Sequence, residues 1–263
     1  ILHQSSFSRI KNLYNFIFEV SSHALEQDRL RDFPLNIAAI TNLTHDHLDY
    51  HKTFQRYKDA KLKLFTKHLI KGGTAILNEK IRGADKLKEK LSKKYKVITY
   101  GLPKSDINLL NKKNITQVKI YKKKYLIDLI NFSNIDLENI SCSIACSLEL
   151  KINIKSILYS LNKIKKPPGR LEEVENKNKN FKVFVDYAHT PDALKKILIS
   201  QTINKKKPNV VFGCGGNRDR EKRSKMGLIA KKYADLVYVT DDNPRYENPN
   251  TIRKSILESC KKG

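Results

Sequence analysis

The chain has 263 residues, 40% of them hydrophobic, and a formal net charge of +25. That hydrophobic content excludes a disordered chain, and the length suits one or two domains with sizeable cores. The charge invites a nucleic-acid reading, but the lysines are spread through almost every segment. No zinc-finger spacing, helix-turn-helix pattern or RNA-recognition aromatic signature accompanies them. No specific nucleic-acid partner is therefore expected, only generic attraction to polyanions at low salt.

No apolar run reaches membrane length, so no membrane insertion is expected, and residues 1–18 are too mixed for a signal peptide. Four cysteines, Cys142, Cys146, Cys214 and Cys260, contain no Cys-x-x-Cys pair. They fit a reduced, cytoplasmic setting. Cys142 and Cys146, four apart on a predicted helix, read as core residues.

In chain order, residues 1–15 are predicted as a helix leading into a strand over 15–20. The apolar run Ile37-Ala38-Ala39-Ile40 marks a buried strand over 36–41,. It opens into a polar loop with His45, Asp46, His47, Asp49 and His51 inside seven residues. A helix over 54–68 then carries Tyr57, Lys61 and Leu64 on neighbouring turns. Gly72-Gly73 predicts a turn before a strand over 74–78. A basic helix over 81–95 and a strand over 97–100 follow. Residues 115–120 and 125–129 alternate apolar and polar, as antiparallel strands at a sheet edge do. Helices are predicted over 135–150 and 154–164.

Pro167-Pro168-Gly169 breaks the chain and sets the expected boundary between domains 1–166 and 167–263,. Beyond it, strands over 181–186, 209–212 and 236–240 alternate with helices over 191–203, 220–233 and 250–260. That alternation predicts a parallel sheet with helices on both faces. The fold class is α/β: a mostly parallel sheet with an antiparallel edge, then a Rossmann-like C-terminal domain.

Ligands of open α/β sheets gather at the carboxyl ends of strands, and the polar motifs fall there. Glu19-Val20-Ser21-Ser22-His23-Ala24-Leu25 follows the apolar Phe16-Ile17-Phe18. The His-rich loop follows residue 41. Asp186-Tyr187-Ala188-His189-Thr190-Pro191 follows Val183-Phe184-Val185. Asp241-Asp242-Asn243-Pro244-Arg245 follows the last strand. A carboxylate and an imidazole, Glu19 and His47, suit a divalent ion beside phosphates, since Mg²⁺ prefers oxygen and keeps several waters. The Gly-rich turn Gly213-Cys214-Gly215-Gly216-Asn217-Arg218-Asp219 offers backbone N–H groups to an anion.

Together, in this order, these motifs resemble the Mur ligase family, and within it the branch that adds the third residue of the peptidoglycan stem peptide. The resemblance runs from about residue 16 to the end of the chain. It implies a central ATP-binding domain over 1–166 and a C-terminal Mur ligase domain over 167–263. It implies ATP and Mg²⁺ as cofactors, UDP-MurNAc-L-Ala-D-Glu and meso-diaminopimelate as substrates, and a monomer. On it, Glu19 and His47 help hold Mg²⁺. Lys61 matches the lysine that becomes carbamylated, which turns a cation into a metal-binding carboxylate. Ser21, Gln27 and Arg29 match contacts to the UDP-sugar dipeptide. Arg170, Asp186 and His189 meet ATP. Arg218, Asp242, Asn243, Pro244 and Arg245 select the incoming amino acid. The physics agrees at Arg245: diaminopimelate has a carboxylate where lysine ends in an ammonium, and a guanidinium pairs with the first and repels the second.

Three departures accompany the resemblance. Asn217 stands where Asp is common, and Lys52 replaces a common glycine after His51. No G-x-x-x-x-G-K-[ST] phosphate loop occurs,. The resemblance therefore implies a piece of a longer protein, or a truncated product, without the family's N-terminal domain, phosphate loop and extreme C-terminus. A related Mur or folylpolyglutamate-type ligase, or an inactive basic protein keeping the fold, stays open as an alternative.

Overall fold

The computed structural model describes residues 8–10, 13–44, 47–129, 132–176 and 180–261. A hairpin comes first, β1 (Ser8–Ile10) against β2 (Leu13–Asn15), where the sequence predicted a helix. The predicted strand over 15–20 is irregular. Phe16 and Ile17 are 51% and 64% exposed. An apolar run becomes a strand only with a ladder partner in register. Here the ring of Phe18 instead stacks on Phe16 at 6.2 Å and meets Phe33 edge-on at 5.0 Å. Glu19 thus follows a surface segment, not a buried strand.

A short helix α1 (Ser22–Glu26) leads to β3 (Leu35–Ile40), α2 (Leu48–His51) and α3 (Phe54–Lys63), which runs into a π-helical turn, Leu64–His68. Then come β4 (Leu69–Asn78), α4 (Ala84–Ser92), β5 (Lys96–Tyr100), β6 (Ile107–Lys112), β7 (Ile115–Ile120) and β8 (Lys123–Ile127). Helices α5 (Asn134–Glu149) and α6 (Ile154–Leu161) close this region. Strands β3 to β8 form one sheet in sequence order, parallel from β3 to β6 and antiparallel from β6 to β8. The expected mostly parallel sheet with an antiparallel edge is present, with β6 as a strand the sequence reading lacked. Gly72-Gly73 is not a turn. It lies inside β4, where the pairing with β3 slips and Gly72 takes φ +78°. Glycine allows that conformation without a Cβ clash.

The sheet has a core on each face, read from the period-2 alternation of β4. Ala75 and Leu77 join Ala38, Ile40, Tyr57 and Phe65 on the side of α3 and α4. Ile76 joins Ile98, Ile107, Val118, Leu137 and Ile144 on the side of α5. Both faces being covered explains why β4 ends in an unbroken buried run, Thr74 to Asn78,. Cys142 lies in the α5-side core with Cys146 packed against it, and all four cysteines are free.

Beyond the Pro-Pro-Gly break, β9 (Glu172–Val174) pairs antiparallel with β10 (Val183–Val185). Then α7 (Pro191–Ser200), β11 (Val210–Phe212), α8 (Glu221–Tyr233), β12 (Val237–Val239) and α9 (Pro249–Lys261) follow. Strands β11 and β12 are parallel. Their core is separate, built on Leu194, Leu198, Phe212, Met226, Ala230, Ile252 and Ile256. The single parallel sheet expected here is therefore divided among the described residues into two two-stranded sheets. The exposed, polar β9 gives β10 an antiparallel partner instead.

Candidate active site

Three clusters of side chains stand beyond strand ends. The first surrounds Lys61. Ser21 caps α1, its hydroxyl accepting from the Ala24 N–H at 3.2 Å, a preferred N-cap role. The next residue, Ser22, is buried, and its hydroxyl meets His51 Nε2 at 3.0 Å. That contact ties α1 to α2. The Gln27 amide donates to the Tyr50 hydroxyl at 3.3 Å, and Arg29 Nε donates to Gln27 Oε1 at 2.9 Å. Gln27 and Arg29 are thus brought together. His23 packs on Tyr50 at 4.3 Å, His47 at 4.7 Å and His51 at 5.5 Å.

Thr53 caps α3 by accepting from the Arg56 N–H. The helix then lays Tyr57 against His47 and His51 and turns Lys61 back toward the end of β3. Lys61 Nζ donates to the Asn42 carbonyl at 3.0 Å and reaches Asn42 Oδ1 at 3.4 Å. It also lies 5.2 Å from the Tyr57 ring, within cation–π range. Asn42 as the anchor of Lys61 was not read from the sequence; its position straight after β3 was the available signal. His47 takes φ +55° and Lys52 φ +64°. The second value gives the physical reason a glycine suits the position after His51. His45 and Asp46 lie outside the described residues, as does the side chain of Asp49.

Glu19 is exposed. Among the described residues no three His, Cys, Asp or Glu side chains gather into a metal-holding group. The donor set of Glu19 and His47 therefore fits Mg²⁺ only as an ion held mainly by phosphate and water oxygens, which is the usual habit of Mg²⁺.

The second cluster joins the three residues predicted to meet ATP. Asp186 accepts from the Leu171 and Ala188 N–H groups, each at 2.8 Å. The first bond fixes the chain next to Arg170, whose guanidinium lies 4.7 Å from the Tyr187 ring. Tyr187 also packs edge-on to His189 at 5.0 Å. Lys222, not singled out from the sequence, donates to the His189 carbonyl at 3.0 Å.

The third cluster is the meeting of the Gly-rich turn after β11 with the turn after β12. Gly216 N–H donates to the Asn243 carbonyl at 2.9 Å, and Arg245 Nη1 donates to the Gly216 carbonyl at 2.7 Å. Tyr246 N–H donates to Asn217 Oδ1 at 3.0 Å. A Cβ on Gly216 would stand 1.8 Å from the Pro244 carbonyl oxygen. The glycines here allow backbone to touch backbone. Two of the N–H groups that the sequence offers to an anion, those of Gly216 and Asn217, are spent on Asn243 and Glu247. Asn217 sits at φ +49°, which Asn tolerates better than most residues. Arg218 is exposed beside it.

Glu247 is the group the sequence reading missed. Arg223 gives it two bonds of 3.0 Å, the Asn217 N–H adds another, and Arg220 lies 3.6 Å away. The bonds from Arg223, and then that from Asn217, hold its carboxyl down at about 2. Arg223 itself is 3% exposed. The signal was present: Arg223, Met226, Gly227 and Ala230 form one buried stripe of α8, and a charge on such a stripe needs a partner.

Residues 2–155 match the Mur ligase middle domain, and residues 169–262 match the Mur ligase glutamate ligase domain. The chain belongs to the Mur ligase family. It is 40% identical over 256 residues to the UDP-N-acetylmuramoyl-L-alanyl-D-glutamate–2,6-diaminopimelate ligase of Rickettsia conorii, covering 94% of this chain and 52% of that protein. The like-named ligase of Buchnera aphidicola subsp. Schizaphis graminum is 39% identical over 257 residues, covering 92% and 51%. A solved structure of a ligase of that name superposes with a TM-score of 0.58 at 29% identity, covering 93% of this chain and 50% of the other. The chain spans about half the length of the curated relatives it matches. Among the described residues no helix is long and apolar enough to cross a membrane.

Proposed function

We propose that this chain carries part of the machinery of an ATP-dependent ligase that adds meso-diaminopimelate to UDP-MurNAc-L-Ala-D-Glu in peptidoglycan precursor synthesis. The reading divides the chain near residue 167 into a nucleotide-side and an acceptor-side domain. It also takes the protein to act as a cytoplasmic monomer. The observation that carries it is the joining of the Gly213–Asp219 and Asp242–Arg245 turns, which sets Arg218 and Arg245 on adjoining backbones. Two guanidiniums there suit the second carboxylate of diaminopimelate, through charge-assisted bonds.

In the proposed reaction the dipeptide γ-carboxylate attacks the terminal phosphorus of ATP and ADP leaves. The amine of the acceptor then attacks the acyl phosphate and expels phosphate, its proton passing to solvent or a nearby base. Ser21, Gln27 and Arg29 orient the dipeptide, and Arg170, Asp186 and His189 meet the nucleotide. Glu19, His47 and carbamylated Lys61 would hold Mg²⁺, which supplies charge compensation for the transferring phosphoryl group. Carbamylation adds carbon dioxide to the neutral Lys61 amine and releases a proton. The Asn42 carbonyl that now receives Lys61 Nζ keeps that nitrogen at the end of β3.

The test is ligation by the full-length protein with each amino acid in turn. ATP-dependent addition of diaminopimelate and little of lysine is expected, with Arg245→Ala losing at least tenfold in kcat/KM for diaminopimelate. Preference for lysine or glutamate in the unaltered protein contradicts the reading and favours a different ligase of the family.

A further inference from the structure

We propose that Arg223 and Glu247, neither of them an expected substrate contact, are positioning residues that set the spacing between Arg218 and Arg245 and so fix which amino acid is accepted. The inference rests on the ligase reading above and adds to it the source of acceptor selectivity.

One carboxylate bridges the two turns. Glu247 lies two residues past Arg245, and its backbone N–H donates to the Pro244 carbonyl at 3.0 Å. Its side chain accepts from the N–H of Asn217, the neighbour of Arg218. Arg223 secures that carboxylate from α8 with both terminal nitrogens, and Nη2 also reaches the Gly215 carbonyl at 3.4 Å. Arg223 thus holds both turns: the Gly-rich one directly, and the Arg245 one through Glu247.

The arrangement is demanding. A buried guanidinium needs its counter-charge, and its planar fork matches a carboxylate in a way a lysine cannot. The Nε of Arg223 is buried with no partner among the described residues. The two bonds to Glu247 therefore account for most of its polar satisfaction. Remove either charge and the turns lose this clamp, keeping the backbone contacts, the Arg245–Gly216 bond and the Tyr246–Asn217 bond. Small displacements of positioned groups reduce rates steeply, by about 100-fold per ångström in sensitive cases. The effect belongs on the acceptor and not on ATP or the UDP-dipeptide, whose expected contacts lie elsewhere in the chain.

The experiment uses the full-length protein with Glu247→Gln and Arg223→Lys, which keep size and partial bonding where alanine risks unfolding. Leu198→Ala, in the same core at 2% exposure, is the destabilised control. Expected for both variants are a rise in KM for diaminopimelate of about tenfold or more and a fall in diaminopimelate-over-lysine discrimination. KM for ATP and for the dipeptide should stay within about twofold, and Leu198→Ala should change none of these despite a lower Tm. Unchanged acceptor KM and discrimination, or changes matched by Leu198→Ala, overturn the inference while leaving the ligase reading in place. An unaltered protein that ligates no amino acid overturns the ligase reading beneath it, and the inference with it.

Discussion

The region around Lys61 and the region around Arg245 both present polar side chains beyond the ends of parallel strands, but different forces hold them. Around Lys61 the groups are held by rings, helix caps and single hydrogen bonds: His23 on Tyr50 and His47, Ser22 with His51, Lys61 on the Asn42 carbonyl. Two ion pairs of this region, Lys63–Glu26 and Lys67–Asp28, have lysines 36% and 53% exposed, so solvent screens them. Around Arg245 two backbones touch through glycines, and one buried ion pair secures them. The first arrangement spreads its stability over many weak contacts. The second concentrates it in two residues and one glycine.

Gly216→Ala should show the contrast most sharply. Its Cβ would overlap a backbone carbonyl that cannot rotate away, and a loss of roughly 3 kcal/mol is expected. Urea denaturation should assign that loss to residues 169–262, and a loss below the usual surface range would mean the turns are not in contact.

Acid is the next probe. The Glu247 carboxyl titrates near 2 in the folded protein against 4.5 for an ordinary glutamate. The folded value is depressed, so its stabilisation is present above pH 4.5 and is lost as pH falls toward 2. At neutral pH it is worth on the order of 3 kcal/mol. Hydrogen exchange across that window should show residues around Asn217 and Tyr246 opening, with little dependence on salt. Glu26 and Asp28 are also lowered, each chiefly by its hydrogen-bonded lysine, but high salt should erase their contribution. Equal salt sensitivity in both regions would dissolve the comparison.

The smallest effect should come from Ser22→Ala. It leaves His51 Nε2 buried without that hydroxyl, at a cost of about 1–2 kcal/mol, confined to the Lys61 region and readable as a shift in its urea midpoint.

The same contrast governs how much the sequence disclosed. Local signals worked where local forces decide. The apolar run before the His-rich loop became β3, and the spacing of Tyr57, Lys61 and Leu64 became α3 and the π-helical turn that ends it. The helix predicted over 135–150 likewise became α5. Pairing across long separations was not legible. β6 exists because β5 and β7 flank it, and the acidic β9 because β10 needs a partner. Phe16–Phe18 shows the converse, an apolar run that turned to ring packing instead of a ladder. At the candidate site, the motif residues were visible as types at strand ends, whereas Glu247 and Asn42 act through partners 24 and 19 positions away. No short pattern encodes such contacts.

The most direct measurement follows oxygen. The full-length protein is given UDP-MurNAc-L-Ala-D-Glu labelled with ¹⁸O in the γ-carboxylate, together with ATP and meso-diaminopimelate. The account predicts phosphate carrying one ¹⁸O for each amide bond formed, because the carboxylate oxygen bonds to phosphorus before the amine displaces it. Unlabelled phosphate, or amide formation without phosphate release, would contradict it.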